Sequence, residues 1–178
     1  IFYNVLAAAM ILLVFLIITN SIRISCNLLI WISIIFCVAN FYVTRFRDIP
    51  ILASDFYSLR TAAAVAGDYS YKPNYICLFA VQAGLVYLFF FRCLGKTRLF
   101  SAKRRLVFAG ISCIIIAIWG KIFVFSDYLE SRDIHLSMFK PLAGYNSNGT
   151  YVTIIRSIQY MNIDKPEDYS AQQIAQIT

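Results

Sequence analysis

The chain has 178 residues, of which 60% are hydrophobic and 14% are charged, whereas soluble domains average roughly 45–50% and about 25%. With a mean hydropathy of +0.69, this composition excludes a lone soluble enzyme or nucleic-acid binder, because a soluble fold of this size cannot bury so much apolar surface. The net charge of +7 is therefore interpreted by its distribution along the chain, since basic residues orient membrane helices.

Four membrane-spanning helices are predicted, so the fold class is an all-α membrane protein, a polytopic bundle of four transmembrane helices within residues 1–126. Three stretches contain no Asp, Glu, Lys or Arg and approach or exceed the roughly 20 residues that cross a bilayer core. A fourth is interrupted only by Lys121, whose long stem carries its ammonium group to the interface. The predicted spans are residues 1–22, 24–44, 73–91 and 106–126.

The basic residues predict which loops face the cytoplasm. Residues 92–105 contain six basic residues and no acid, so this loop is expected on the cytoplasmic side. Alternation then places residues 45–72 and 127–178 outside the membrane. The first residue would also lie outside, which is unusual for a bacterial plasma-membrane protein, and we therefore expect a fifth span before Ile1 in the parent protein.

The first outer segment contains a predicted interfacial helix over residues 54–67. Ser54 or Asp55 can accept the free amides of its first turn, and Gly67 can adopt the left-handed conformation that ends it. Pro50 disfavours helix at the preceding residue and separates this element from the second span. The side chains of Phe56, Leu59, Ala63 and Ala66 fall on one stripe.

Charged residues beside this helix form the candidate site. Arg45, Arg47, Asp55 and Arg60 lie at the depth of the lipid headgroups, and arginine offers paired donors to phosphate. We interpret them as a pocket for an anionic lipid headgroup, and the alternative is ordinary anchoring at the interface.

Residues 127–178 are interpreted as an extracellular juxtamembrane connector. An amphipathic helix is predicted from the spacing of Tyr151, Ile154, Ile155, Ile158 and Met161. Pro166 ends this helix, and a second begins at Asp168 or Ser170, with Ile174 and Ile177 on one side. Asn148 fits either a glycosylation acceptor or a helix cap.

No catalytic residue and no metal site is predicted in this chain. Five cysteines lie in or beside apolar runs without a CxxC pair and are interpreted as packing residues. His135 is the only histidine, the acids are scattered, and neither a glycine-rich phosphate loop nor a nucleophile motif occurs.

The stretch NFYVTRFRDIPILASDFYSLRTAAAVAGDYSY, residues 40–71, resembles the bacterial lipoteichoic acid synthase family, relatives of the sulfatases and of the periplasmic phosphoglycerol transferases. Residues 149–169, which include NIDKPEDY, are similar to that family's connector. Phe56 stands where Leu is usual, and Asp48 where Gly is common. The matching positions are Asn40, Tyr42, Arg45, Arg47, Pro50, Ser54, Asp55, Thr61, Ala62, Val65, Ala66, Gly67 and Tyr69.

The resemblance implies five transmembrane helices and an extracellular sulfatase-like domain beyond Thr178. In the family, that domain uses a Thr nucleophile and a divalent metal, usually manganese, to move glycerol phosphate from phosphatidylglycerol onto a growing polymer. The expected partners of this chain are membrane lipids, phosphatidylglycerol among them, and that catalytic domain. No cofactor is expected within the chain itself, and no nucleic acid.

A stand-alone membrane protein without enzymatic activity, such as a small transporter or an assembly partner, is the alternative. A transport path would require polar groups that converge in the middle of the membrane. The sequence offers Asn27, Asn40, Gln82 and Ser112 for this role.

Overall fold

The computed structural model describes residues 1–67, 71–72, 74–93, 99–126, 128–132, 134–137 and 139–161, and regular structure in these residues is entirely helical. Three 3₁₀ turns span Ala53–Ser58, Glu130–Arg132 and Ile158–Tyr160. The α-helices of the described residues are α1 (Phe2–Thr19), α2 (Ile22–Arg47), α3 (Leu59–Ala66), α4 (Tyr75–Arg92), α5 (Ala102–Phe125), α6 (Pro141–Asn148) and α7 (Thr150–Ser157).

Helices α1, α2, α4 and α5 are long and apolar enough to cross a membrane, which confirms the predicted all-α membrane fold. Each contains a window with a mean hydropathy of at least 1.7 and lies at a predicted span. Helix α2 continues past the apolar stretch to Arg47, because Asp48, with a φ of 58°, is the first residue to leave the helical conformation. Helix α5 similarly begins at Ala102, four residues before the predicted span.

The four long helices lie side by side in the order α4, α2, α1, α5, since the main contacts join α4 to α2, α2 to α1 and α1 to α5. Gly84 allows the close approach of α4 to α2, because a Cβ at this position would overlap the Cδ1 of Ile34. Large apolar side chains on α4 and α5 stay exposed, including Phe89 at 73% and Ile114 at 62%. Such exposure is expected of helices that face lipid.

Short elements cover one end of the bundle. We call this end, with the segments 48–66, 128–132 and 139–161, the capped end, and the opposite end, with residues 19–22 and 99–105, the turn end. A small apolar core formed by Ala7, Phe123, Leu129 and Val152 lies at the capped end, and it joins α1 and α5 to α7.

At the turn end, polar side chains connect helices that are distant in sequence. Asn20, in the left-handed conformation that ends α1, donates its Nδ2 to the Phe100 carbonyl at 2.8 Å and accepts the Phe100 amide at 3.2 Å. Arg105 donates to the free carbonyls of Ile17 and Ile18 at the end of α1, at 3.0 and 2.8 Å. A cation at a helix C-terminus is electrostatically favourable, so the first turn of α5 stabilises the last turn of α1.

The predicted outer elements are present with altered forms. The helix expected over residues 54–67 is a 3₁₀ turn followed by α3, and the amphipathic tail helix is α7 with a final 3₁₀ turn. On α7 the buried residues are Val152, Thr153, Arg156 and Ser157, whereas Ile158 of the predicted stripe is 43% exposed. The second tail helix, after Pro166, and Tyr69 of the resemblance lie outside the described residues.

Candidate functional site

The segment between α2 and α3 packs closely against α2 and α7 at the capped end. Pro50, Leu52 and Ala53 are buried. Asn40 accepts the amide of Ile51 on its Oδ1 at 2.7 Å, and Ser157 of α7 accepts the amide of Ala53 on its Oγ at 2.8 Å. The two segments that were predicted to be outside therefore contact each other directly at one end of the bundle.

Arg47, the last residue of α2, and Asp55 form a bidentate ion pair across this segment. The Nη1 of Arg47 donates to the Oδ1 of Asp55 at 2.9 Å, and its Nη2 donates to Oδ2. The same guanidinium group donates to the carbonyls of Ile49 and Pro50, at 3.3 and 3.2 Å. Asp55 also accepts the Leu52 amide at 2.8 Å. Both side chains therefore brace the turn between α2 and α3.

The pKa of the Asp55 carboxyl is lower than its ordinary value. Partial burial by itself raises this pKa, but the hydrogen bonds from Arg47 and from the Leu52 amide, together with the charge of Arg47, favour the ionised form and give a net decrease. Asp55 is consequently ionised at neutral pH.

The structure brings together two of the four predicted headgroup residues. Arg47 and Asp55 are paired, whereas Arg45 lines a separate cavity and Arg60 is exposed on α3. Neither Arg45 nor Arg60 forms a hydrogen bond or an ion pair with another described residue. The guanidinium group of Arg45 is therefore the one that is both uncommitted within the described residues and located at a cavity.

This cavity, of about 500 Å³, lies at the capped end between α2, the start of α4 and α6. Its polar wall consists of Arg45 with the side chains of Asn40, Thr44, Asn74, Tyr145 and Asn146, and its apolar wall consists of Cys37, Phe41 and Leu142. Burial raises the pKa of Tyr145, whose hydroxyl lies 2.7 Å from that of Thr150, so the phenol stays neutral. A positive group, several amides and a neutral hydroxyl suit an anionic ligand with additional polar groups.

Arg156 was not predicted to have a structural role, yet it is buried to 2% exposure on α7. Its Nη2 donates to the Oε1 of Glu130 at 2.6 Å, and its Nη1 donates to the carbonyl of Ser126, just after α5, at 3.3 Å. One sequence signal could have indicated it, because Arg156 is the only charged residue between Lys140 and Asp164. A single cation in an otherwise uncharged amphipathic stretch requires a partner if its helix packs.

Asn4 of α1 supplies the cap of α7. Its Oδ1 lies 3.1 Å from the amide of Tyr151 and 3.4 Å from that of Val152, and its Nδ2 donates to the carbonyl of Asn148. Asn148 itself is the last residue of α6 and donates to the carbonyl of His135 at 2.8 Å. The predicted capping role of Asn148 is therefore wrong, because α6 and α7 adjoin and an asparagine from another helix takes the acceptor position.

Other candidate chemistry is sparse in the described part of the chain. No three His, Cys, Asp or Glu side chains there are grouped so that they could hold a metal ion. The manganese that the resemblance implies for a further domain stays a prediction. All five cysteines are free thiols, and Lys121 is exposed one turn before the end of α5.

Comparison of the chain with known proteins gives no match to a family model, a curated protein or a solved structure.

Proposed function

We propose that this chain is the membrane part of an extracellular phosphoglycerol transferase that resembles the lipoteichoic acid synthases. In this role it anchors a catalytic domain at the outer face of a bacterial plasma membrane, with residues 92–105 in the cytoplasm and the capped end outside. It also binds the phosphatidylglycerol from which glycerol phosphate is taken to extend a polymer. The metal, which we expect to be manganese, and the catalytic residues lie in the further domain.

The observation that carries this proposal is the attachment of α7 at both of its ends. Asn4 holds the first turn to α1, and Arg156 holds the last turn to Ser126 and Glu130 beside α5. A helix fixed in this way keeps one position relative to the membrane spans. An anchor that sets the height and orientation of an outer domain requires this property.

The residues of the resemblance support the same proposal, because several of them shape the capped end. Asn40, Arg47, Pro50 and Asp55 form or fill the turn between α2 and α3. These four residues therefore contribute to one local structure.

The test is a transfer assay with the full-length product of the gene, reconstituted in vesicles that contain phosphatidylglycerol labelled in its headgroup, with Mn²⁺ added. We expect labelled glycerol phosphate polymer and an equal amount of diacylglycerol. The same protein cut after Met161 should stay in the membrane and make neither product. A full-length product that turns over no phosphatidylglycerol would contradict the proposal.

The stand-alone alternative requires polar groups that meet inside the membrane. Among the described residues, no hydrogen bond joins Asn27, Asn40, Gln82 and Ser112 to one another, and Asn40 is committed to Ile51. We therefore favour the anchoring role. A coding region without a further domain after this chain would favour the alternative.

A further inference from the structure

Three cavities of the structure share a lining residue on α2. The polar cavity described above, an apolar groove of about 420 Å³ between α1, α2 and α7, and an apolar groove of about 410 Å³ between α2 and α4 all include Cys37 in their walls. Ser33, one turn further along α2 toward the turn end, lines both apolar grooves. The two grooves therefore begin beneath the polar cavity, one toward α1 and one toward α4.

The polar cavity has the charge of an anion site. Arg45 contributes a cation, and none of the described residues that line the cavity is acidic. The hydroxyl oxygen of Thr44 is buried and has no hydrogen-bond partner in the described part of the chain. A buried hydroxyl of this kind is stabilised when a ligand supplies its partner.

The two grooves are suited to hydrocarbon. Ala80, Ala83 and Gly84 line the α4 side of one groove, and the methyl side chains of the two alanines leave room beside α2. The groove between α1, α2 and α7 is lined mainly by isoleucine and phenylalanine side chains. They come from α1, α2 and α7 and from Phe56. Along α2, the α4-side groove extends from Cys37 to Ile30, a rise of about 10 Å. It therefore runs toward the centre of the membrane.

We propose that these three adjoining cavities together bind a single diacyl phospholipid with an anionic headgroup. Its phosphate pairs with Arg45, the remaining headgroup atoms contact the asparagine side chains and the Thr44 hydroxyl, and one acyl chain enters each groove. A free phosphate would leave both grooves empty, and a single-chain lipid would leave one empty. This site specifies where the proposed lipid binding occurs. It rests on the proposed function only in that the bound lipid is taken to be the donor of glycerol phosphate.

Native mass spectrometry of the detergent-solubilised chain, titrated with lipid, tests this proposal. The probes are phosphatidylglycerol, phosphatidylcholine with the same acyl chains, and soluble glycerol phosphate. We expect one phosphatidylglycerol per chain, weaker retention of phosphatidylcholine, and no displacement of the lipid by glycerol phosphate. Displacement by glycerol phosphate would overturn the two-chain site.

Two variants address the two parts of the site. Arg45→Gln should weaken phosphatidylglycerol retention about tenfold, since a charge-assisted contact is lost, and should weaken phosphatidylcholine less, because the choline ammonium already offsets the charge of its phosphate. Ala83→Leu, at an exposed position of α4, fills one groove and should weaken both lipids. Arg132→Gln is the matched control, because Arg132 is an exposed arginine at the same end that does not line the cavity.

The proposal is wrong if Arg45→Gln binds phosphatidylglycerol as strongly as the unchanged chain does. It is also wrong if Arg132→Gln weakens this binding equally, because that result would indicate a general attraction of anionic lipid. Thermal unfolding of each variant shows that it is folded. The binding assay needs no catalytic turnover, so its failure is distinguishable from failure of the transfer assay.

Discussion

Single side chains determine how the capped end is held together, and two buried or half-buried ion pairs illustrate the different energetics involved. The pair of Arg47 with Asp55 is partly exposed, with side-chain exposures of 41% and 29%. The pair of Arg156 with Glu130 joins an arginine of 2% exposure to a glutamate of 42%. Water screens the pair of Arg47 with Asp55. Removal of Glu130, by contrast, would leave the buried charge of Arg156 without a countercharge.

The Asp55 carboxylate should make stability depend on pH in the acidic range. Because its folded-state pKa is lowered, its contribution is present above the unfolded-state value of about 4 and is lost as the pH falls through the folded-state pKa. Asp55→Asn should cost about 0.5–1 kcal/mol at pH 7 and flatten the acid dependence of the melting temperature.

Thermal unfolding in detergent between pH 7 and pH 3 measures this effect. Asp48→Asn is the matched control, because Asp48 is an exposed carboxylate of the same turn and asparagine tolerates its left-handed conformation. If Asp55→Asn and the unchanged protein gave parallel pH profiles, the role assigned to the ion pair would be incorrect.

The buried pair should respond unequally to removal of its two partners. Glu130→Ala leaves the buried guanidinium group of Arg156 without a countercharge, and we expect a loss of about 2 kcal/mol or more. Arg156→Met fills a similar volume and leaves a carboxylate that water can reach, so a loss of about 1 kcal/mol is expected. Denaturant unfolding compares the variants, with Lys140→Ala as an exposed control. A larger loss of stability for Arg156→Met than for Glu130→Ala would contradict this assignment.

At the scale of elements, helix ends are satisfied by side chains from other helices. Arg105 binds the last carbonyls of α1, and Asn4 accepts the first amides of α7. The basic first turn of α5 opposes its own helix dipole, so the contact with α1 compensates for an unfavourable local arrangement. These contacts join α1 to α5 at the turn end and α1 to α7 at the capped end.

The junction between α6 and α7 should tolerate no side chain at Gly149. Its φ of 84° lies in the region that favours glycine, and a Cβ there would overlap the side chain of Asn4. We expect Gly149→Ala to lose about 1–3 kcal/mol of stability and to speed amide exchange in α7.

Gly110→Ala is the matched control for this variant. Gly110 lies within α5 and a Cβ there meets nothing within 4 Å, so alanine should leave stability unchanged or raise it by up to about 1 kcal/mol. Hydrogen exchange and thermal unfolding measure both variants. Equal effects at the two glycines would contradict the close contact with Asn4.

At the scale of the whole molecule, the two ends of the bundle differ in structure and in charge. All nine acidic residues lie in the two segments predicted to be outside, and parts of these segments contact each other at the capped end. The described part of the turn end carries basic residues and no acid. This asymmetry predicts that the capped end is extracellular.

Cysteine labelling in intact cells tests the orientation. In a background without the five native cysteines, Ser147→Cys should react with a maleimide that does not cross membranes, whereas Lys103→Cys should react only after the cells are opened. Both positions are exposed, so the difference reports the side of the membrane. Labelling of Lys103→Cys in intact cells would reverse the proposed topology.

The spans were predictable because about 20 apolar residues in succession favour lipid over water whatever their neighbours are. Their ends were less predictable, because a helix continues until a residue leaves the helical conformation, as α2 does at Asp48. The proximity of Arg47 and Asp55 was also predictable, since they flank one short turn. The four-residue site was not, because the direction of each side chain depends on how that turn folds.

The sequence by itself determined that this protein lies in a membrane, where its four spans are and which elements lie between them, since these properties follow from local composition and periodicity. The tertiary structure alone decided which face of α7 is buried, that Arg156 meets Glu130, and that Asn4 caps a helix that begins 146 residues later. It also decided that Arg45, rather than Arg47, lines a cavity and forms no ion pair with the other residues that the structure describes. Such contacts form only when distant helices dock, and no local pattern records which of them will meet.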